Sequence, residues 1–257
     1  MKKNKFLVLV QNSEIISYLR ELNVNLAFPL KFFSVGFTKY FSIDEIAEND
    51  YIYINKLLDN NDLVLLADIL HQKKFKGIIF DDLGVLEITK DLDIEKILYM
   101  PHQLANTLSV NYMLEYVDSI ILSTDLTKEE IKIIISNSIK KLCIFGFGHT
   151  SVLYSQRNLI KNYYNHYDLD DNQLLNISVN NKELIGIESL DGTVFYDDPC
   201  IKNFEFNDCD KVRYVFINTV FLKNEDILEL INSSDTKEKY YDGFLYKETI
   251  YKLKDGE

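Results

Sequence analysis

The chain has few of the residues from which ready-made chemistry is built. Among its 257 residues are three cysteines, four histidines, three prolines and no tryptophan. The cysteines, Cys143, Cys200 and Cys209, are odd in number and no two stand in CxxC spacing. That speaks against a disulfide framework and leaves reduced thiols as the simpler reading. No HExxH is present, no GxSxG elbow, and no GxGxxG after a strand, so the zincin, serine-hydrolase and dinucleotide-binding patterns are absent. No apolar run approaches the ~18 residues of a membrane span. The start of the chain, three lysines and then Phe6–Val10, has an apolar stretch of five residues. A signal-peptide core needs roughly 7–15, so this stretch reads as a first buried strand. Basic residues are also in deficit, 28 against 40 acidic, for a net charge of -12. Phosphate backbones are bound by positive faces, so this balance argues against direct nucleic-acid binding. The expected setting is the cytoplasm, with no membrane contact.

What is present is a sizeable apolar fraction, 47% of the chain, cut into short runs. The runs are Phe6–Val10, Leu26–Leu30, Tyr51–Ile54, Gly77–Phe80, Ile97–Met100, Ser119–Leu122, Leu142–Phe147 and Tyr214–Val220. Continuous runs of this length suit strands buried on both faces, as in a parallel sheet. Helical patterns lie between them. Asn12-Ser13 can cap Ile15–Leu22, and Asn61-Asp62 opens Leu63–His71. Leu104–Val117 carries Leu108, Tyr112, Met113 and Tyr116 at helical spacing. Thr127 with Glu130 forms a capping box, in which hydroxyl and carboxylate each take a free backbone N–H. Eight strands alternating with helices predict an α/β protein built as a (β/α)8-like, TIM-type barrel, with an open Rossmann-type sheet as the alternative. The alternation breaks after Tyr164. Leu174–Val179, Glu183–Leu190 and Thr193–Tyr196 follow a period of two around a turn at Asp191-Gly192, which predicts a small antiparallel insertion near residues 165–210. The expected organisation is one barrel domain over 1–257, with a polar and aromatic tail from Asp235 packing on its surface.

In such a barrel the chemistry gathers at the carboxyl ends of the strands. Those ends supply Lys31, Asn55, Asp81, His102, Asp125 and His149. Asp81, His102, Asp125 and His149 are the candidate catalytic set, as acid and base or as ligands of a divalent metal. The local alternative is that carboxylates simply cap the next helix. A second candidate segment runs from Phe145 to Arg157, where two glycines permit close approach of a ligand. Tyr154, Ser155 and Arg157 lie in it, with Arg157 suited to a carboxylate or phosphate through its fork of donors. Lys31, Asn55, Tyr154, Ser155 and Arg157 form the candidate substrate-binding set. Ser155 is equally able to cap a helix running to Tyr164.

The same segment carries a resemblance. Gly148, Tyr154, Ser155, Leu159, Asn162 and Tyr163 are similar to a motif of the collagenase-like peptidase family, peptidase family U32. Upstream, Ser123–Ile131 resembles that family's Ser-x-Glu-hydrophobic-Thr-x-x-Glu-hydrophobic run, with Asp125 in place of Glu. Asn106, the strand Gly77–Leu83, and the tail Gly243–Tyr246 with Thr249, Tyr251 and Lys252 are also similar, the tail to the shorter bacterial members. The resemblance implies a peptidase-like hydrolase acting on peptides or proteins. It also brings a contrast. Where the family has two cysteines around its Tyr-Ser, this chain has Ser151 and Asn158. Family members that hydroxylate RNA bases or ubiquinone precursors depend on a four-cysteine cluster, so no iron–sulfur cluster is expected here. A non-catalytic binding module, or a partner in RNA modification, is the competing reading.

Overall fold

In a computed structural model, which describes residues 5–170 and 172–248, all eight apolar runs form strands. They are β1 (Phe6–Leu9), β2 (Asn25–Pro29), β3 (Tyr51–Ile54), β4 (Gly77–Phe80), β5 (Glu95–Leu98), β6 (Ser119–Ile120), β7 (Leu142–Gly148) and β13 (Val212–Asn218). Alternate residues of these strands join two different cores, which is why the runs are apolar throughout. Phe6, Val8, Leu26, Phe28, Ile78 and Phe80 face outward, in one core with Leu66, Leu70, Leu114, Ile131 and Leu230 from the helices. Leu7, Leu9, Ala27, Tyr51, Tyr53, Ile79, Ile97, Tyr99, Phe145 and Phe216 face the concave side. There the rings pack on one another, with Tyr53 stacked on Phe216 at 6.2 Å and Tyr99 on Phe145 at 6.2 Å.

Seven helices accompany the strands among the described residues: α1 (Ile16–Glu21), α2 (Asn60–Gln72), α3 (Gly84–Thr89), α4 (Thr107–Leu114), α5 (Lys128–Asn137), α6 (Leu159–His166) and α7 (Asn224–Ser233). The Thr127–Glu130 capping box opens α5 as expected. At α2 the box belongs to Asp59 and Asp62, one turn earlier than Asn61-Asp62 suggested. The face of α4 is also different. Val110 and Leu114 are buried, whereas Leu108 is 84% exposed and Tyr112 61%. The side that meets the sheet is set by the angle at which α4 packs, and two positions on the opposite side happen to be apolar as well.

The expected closed barrel is not what forms. The main sheet is curled and open, ten strands in the order β14-β12-β7-β13-β1-β2-β3-β4-β5-β6, where β12 is Cys200–Lys202 and β14 is Tyr240–Tyr241. The eight predicted strands run parallel within it. At the seam β6 has only two residues, and a single bridge, Ile121 with Cys143, links that edge to β7. The rest of that edge of β7 is taken by β12, which pairs Ile201 with Gly148 and Lys202 with Phe147 in the antiparallel sense. No helix among the described residues is long and apolar enough to cross a membrane.

The antiparallel part is larger than the alternation alone indicated. It is a four-stranded sheet, β8 (Ser151–Ser155), β11 (Gly192–Asp198), β10 (Lys182–Ser189) and β9 (Leu174–Val179), so it begins before α6 rather than near residue 165. Asn180 and Asn181, both at positive φ, make the two-residue turn between β9 and β10, a conformation asparagine tolerates. Leu190 and Asp191 make the next turn and Gly192 opens β11, so the Asp191-Gly192 hairpin forms with its loop one residue earlier. The concave side of the main sheet is covered by Ile187, Val194 and Tyr196 of this smaller sheet. In the tail, Leu245 is buried and its carbonyl accepts from the amide of Lys128. Thr249, Tyr251 and Lys252 lie outside the described residues.

One glycine fixes the junction between the two sheets. Gly148 has φ 131°, and a Cβ there would sit 2.2 Å from the carbonyl oxygen of Asn218. Both strain and overlap oppose any side chain. Gly148→Ala is expected to lose about 2–4 kcal/mol of stability, seen as a lowered midpoint in urea unfolding. An unchanged midpoint would show that β7 and β13 can separate there at no cost.

Candidate active site

The strand ends bring polar groups to the side covered by the small sheet. Asp81 follows β4 directly, Pro101 and His102 follow β5, Asp125 follows β6, and Asn218 ends β13. Two spaces lie among them. An inner chamber of about 70 Å³ is lined by Phe37, Tyr53, Asp81, Tyr99, Tyr196 and Asn218, with Ser151, Tyr154 and Val194 from the covering strands. An outer cleft of about 270 Å³ is lined by Leu57, Asp81, Asp82, Met100, Pro101, His102 and Gln103. Asp81 belongs to both.

Burial holds the Asp81 carboxyl up to about 7, with the charge of Asp82 adding to the shift. A carboxyl placed where water is scarce resists ionisation. Asp82 is committed to local structure, accepting from the amides of Leu58 (3.3 Å) and Gly84 (2.8 Å) at the start of α3. Asp81 therefore stands as the carboxyl of the pair open to both spaces, able to hold or release a proton near neutral pH.

His102 is different in kind. Its Nδ1 lies 2.8 Å from Asp125 Oδ2 and its Nε2 lies 2.8 Å from the carbonyl oxygen of Ser151. Both partners only accept, so both ring nitrogens must carry protons. The hydrogen bond that His102 donates to Asp125 raises the His102 pKa first, burial acts against it, and the Ser151 carbonyl supports it. His102 is thus a fixed imidazolium that ties the β5 and β6 loops to β8. As a cation it cannot serve as the base for a serine, and what it meets on Ser151 is the backbone, not the hydroxyl.

The four candidate catalytic residues do not share one mouth. Asp81 and His102 share the cleft, and Asp125 reaches it through His102. His149 is buried apart, its Nδ1–H donating to the carbonyl of Asp197 at 2.8 Å and its ring against Phe221 at 5.7 Å. Burial lowers its pKa and keeps it neutral. The candidate substrate-binding residues are dispersed too. Tyr154 lines the chamber and donates to the carbonyl of Asp191 at 3.1 Å. Asn55 lines it as well, but its amide is occupied by both backbone groups of Val35, at 2.9 and 3.0 Å. Ser155 Oγ accepts from the amide of Arg157, the Arg157 side chain is exposed just before α6, and Lys31 lines a different cavity beside Phe32. Tyr53, Tyr99 and Tyr196 were not anticipated. Their signal was available, since a tyrosine in a run buried on both faces needs somewhere to put its hydroxyl.

Among the described residues no group of three His, Cys, Asp or Glu side chains converges to hold a metal. All three thiols are free. Cys143 is buried beside Ser119 Oγ at 3.2 Å, and burial pushes its thiol up to about 12. Cys200 is buried in the outer core.

The chain is a mixed α/β protein with a cleft at its strand ends lined by Asp81 and His102. Residues 43–173 match the family model described as peptidase family U32, and the chain belongs to that family. The matched span includes Asp81, His102, Asp125, His149, Tyr154, Ser155 and Arg157. No curated protein and no solved structure matches the chain.

Two titrations test this electrostatic description. His102 should titrate above the ordinary histidine value and His149 below it, in an NMR titration of the ring protons, and Asp125→Asn should bring His102 down. The stability His102 contributes is fully present below its unfolded value of about 6.5 and is lost as pH rises through its folded value. A His102 resonance at the ordinary value would disprove the doubly bonded imidazolium. For Asp81 the folded pKa is also raised, so its favourable contribution holds below about 3.9 and disappears as pH rises to about 7. Asp81→Asn should accordingly unfold later than wild type at pH 8 and equally at pH 4.

Proposed function

We propose that the chain hydrolyses peptide bonds in the outer cleft, with Asp81 as the group that moves the proton. The observation carrying this reading is the Asp81 carboxyl, held up to about 7 between the chamber and the open cleft. The family assignment supports a peptidase-like role. In the ionised form Asp81 takes a proton from a water as its oxygen bonds to the scissile carbonyl carbon. It then returns that proton to the amide nitrogen as the carbon–nitrogen bond breaks, so water is consumed and the carboxyl is regenerated. The fixed charge of His102, lining the same cleft, favours the negative charge that develops on the carbonyl oxygen. Asp125 positions His102 and does not touch substrate. We read the curled sheet as a barrel left open at the Ile121–Cys143 seam, with its working end at the usual carboxyl side. The three free thiols suit a reducing compartment such as the cytoplasm.

A second reading, a peptide-binding module without turnover, is favoured by one observation. The chamber behind Asp81 has about 70 Å³, room for little more than water. Incubation with a mixed peptide library, with and without divalent metal, separates the two. Wild type should cleave, with a rate that rises with pH to a half-maximum near 7 because the base must be ionised. Asp81→Asn should lose at least about 100-fold, measured by mass spectrometry of the products. Equal cleavage by Asp81→Asn would rule out the assigned role, and no cleavage under any condition would leave the binding module.

A further inference from the structure

A space larger than the cleft lies close to the site. It is a cavity of about 390 Å³ between the loop carrying Lys31, Phe32, Phe37 and Tyr40 and the small sheet's Leu174, Ile187 and Leu190. Cavities of this size with mainly apolar walls are the usual form of a small-ligand site. One feature of its rim runs against the stability of the fold. Leu30, Lys31, Phe32 and Phe33 make a turn closed by the Phe33 amide on the Leu30 carbonyl at 3.1 Å. Phe32 occupies the third position at φ 73°. Turns of this form normally place glycine there, because a bulky side chain is strained at positive φ. The ring gains little burial in return, since it is 66% exposed. An exposed, strained aromatic on the rim of an apolar cavity points to a ligand that covers it.

The cavity shares a wall with the candidate active site. Phe37 lines both this cavity and the chamber beside Asp81. Tyr154, which lines the chamber, donates to the carbonyl of Asp191, which lines the cavity. Several polar side chains at the rim are already engaged. Asp191 pairs with Lys56 at 3.2 Å, Glu188 accepts from the amides of Ile160 and Lys161, and Thr38 Oγ donates to Gln11. Lys31 and Gln173 also line the cavity, the Lys31 ammonium lying 5.2 Å from the centre of the Phe32 ring. Most of the surface left open is apolar, with the rings of Phe32, Phe37 and Tyr40 as three of its walls.

We propose that this cavity is a specificity subsite that receives a bulky apolar side chain of a peptide whose backbone lies toward Asp81. The proposal rests on the peptide reading of the site but not on turnover. Phe32 covers the inserted side chain, and Ile187 forms the inner wall.

The test is an NMR titration of isotopically labelled protein with N-acetyl-phenylalanine amide and N-acetyl-alanine amide, read at the amides of Thr38, Ile187 and Leu190. The phenylalanine compound should give saturable shifts there and bind at least about tenfold more tightly than the alanine compound, as expected from the extra apolar area. Phe32→Gly should weaken that binding at least about fivefold while its urea midpoint does not fall, because glycine suits the turn. Leu190→Asp changes an exposed turn residue at the mouth, so the fold does not depend on it, and it should weaken binding likewise. Saturable binding with no peptide cleavage would support the subsite while removing hydrolysis. Absent or non-saturable shifts, equal affinity for the two compounds, or full binding by Phe32→Gly would overturn it.

Discussion

The arrangement depends on keeping water away from the concave face of the main sheet. A tightly closed barrel would fill that space with its own side chains. Here the sheet is open and its interior is filled by rings, Tyr53, Tyr99, Phe145 and Phe216, with Val194 and Tyr196 of the small sheet closing over them. Tyrosine side chains occupy large volumes and still end in a hydroxyl, so they can fill a core and line a polar chamber at once. The same cover that dries the rings dries Asp81. Its raised pKa comes first from burial under this packing, with the charge of Asp82 adding to it.

That cover must be held in place, and the ties are polar. His102 bonds the Ser151 carbonyl at the start of β8, Tyr196 donates to the Gly36 carbonyl at 2.8 Å, and Asn218 donates to the His149 carbonyl at 2.8 Å. Gly148 lets β7 pass close enough to Asn218 for the last of these. Ser151 lies at the start of β8 and Asn158 just before α6. These hydrogen bonds add to the apolar packing of Ile187, Val194 and Tyr196 against the main sheet.

The eight strands of the main sheet were legible because each is buried on both faces, and such runs leave little choice of conformation. The Thr127 box was legible because its chemistry is local. Closure was not, since it depends on the length of one strand, β6, and on where β12 docks. The Ser151–Ser155 segment was misjudged for a similar reason. Its Ser-Val-Leu-Tyr-Ser pattern does not alternate, and its partner, β11, lies some forty residues away. His102 and His149 looked alike in the sequence, each just past a strand end. They differ only in surroundings, one between two acceptors and half-exposed, the other buried against Phe221.

The adjacent carboxylates Asp81 and Asp82 show why a site can be found from physical cost. Two acids in sequence at a strand end would ordinarily both face water. Asp82 offsets its partial burial by accepting from the amides of Leu58 and Gly84, which contributes to the fold. Asp81 is compensated only in part: backbone hydrogen bonds at Asp81 and Asp82 favour its ionised form, yet burial and its neighbour's charge still hold it up to about 7. Replacing it with an uncharged isostere would stabilise the protein at neutral pH, so folding alone does not account for it. The strained Phe32 follows the same logic at the rim of the neighbouring cavity. Both residues make the fold less stable than a simple substitution would, and the cavities they line share the wall formed by Phe37. Independent costs that converge on one wall are what a working surface requires and what a purely structural one would have relaxed.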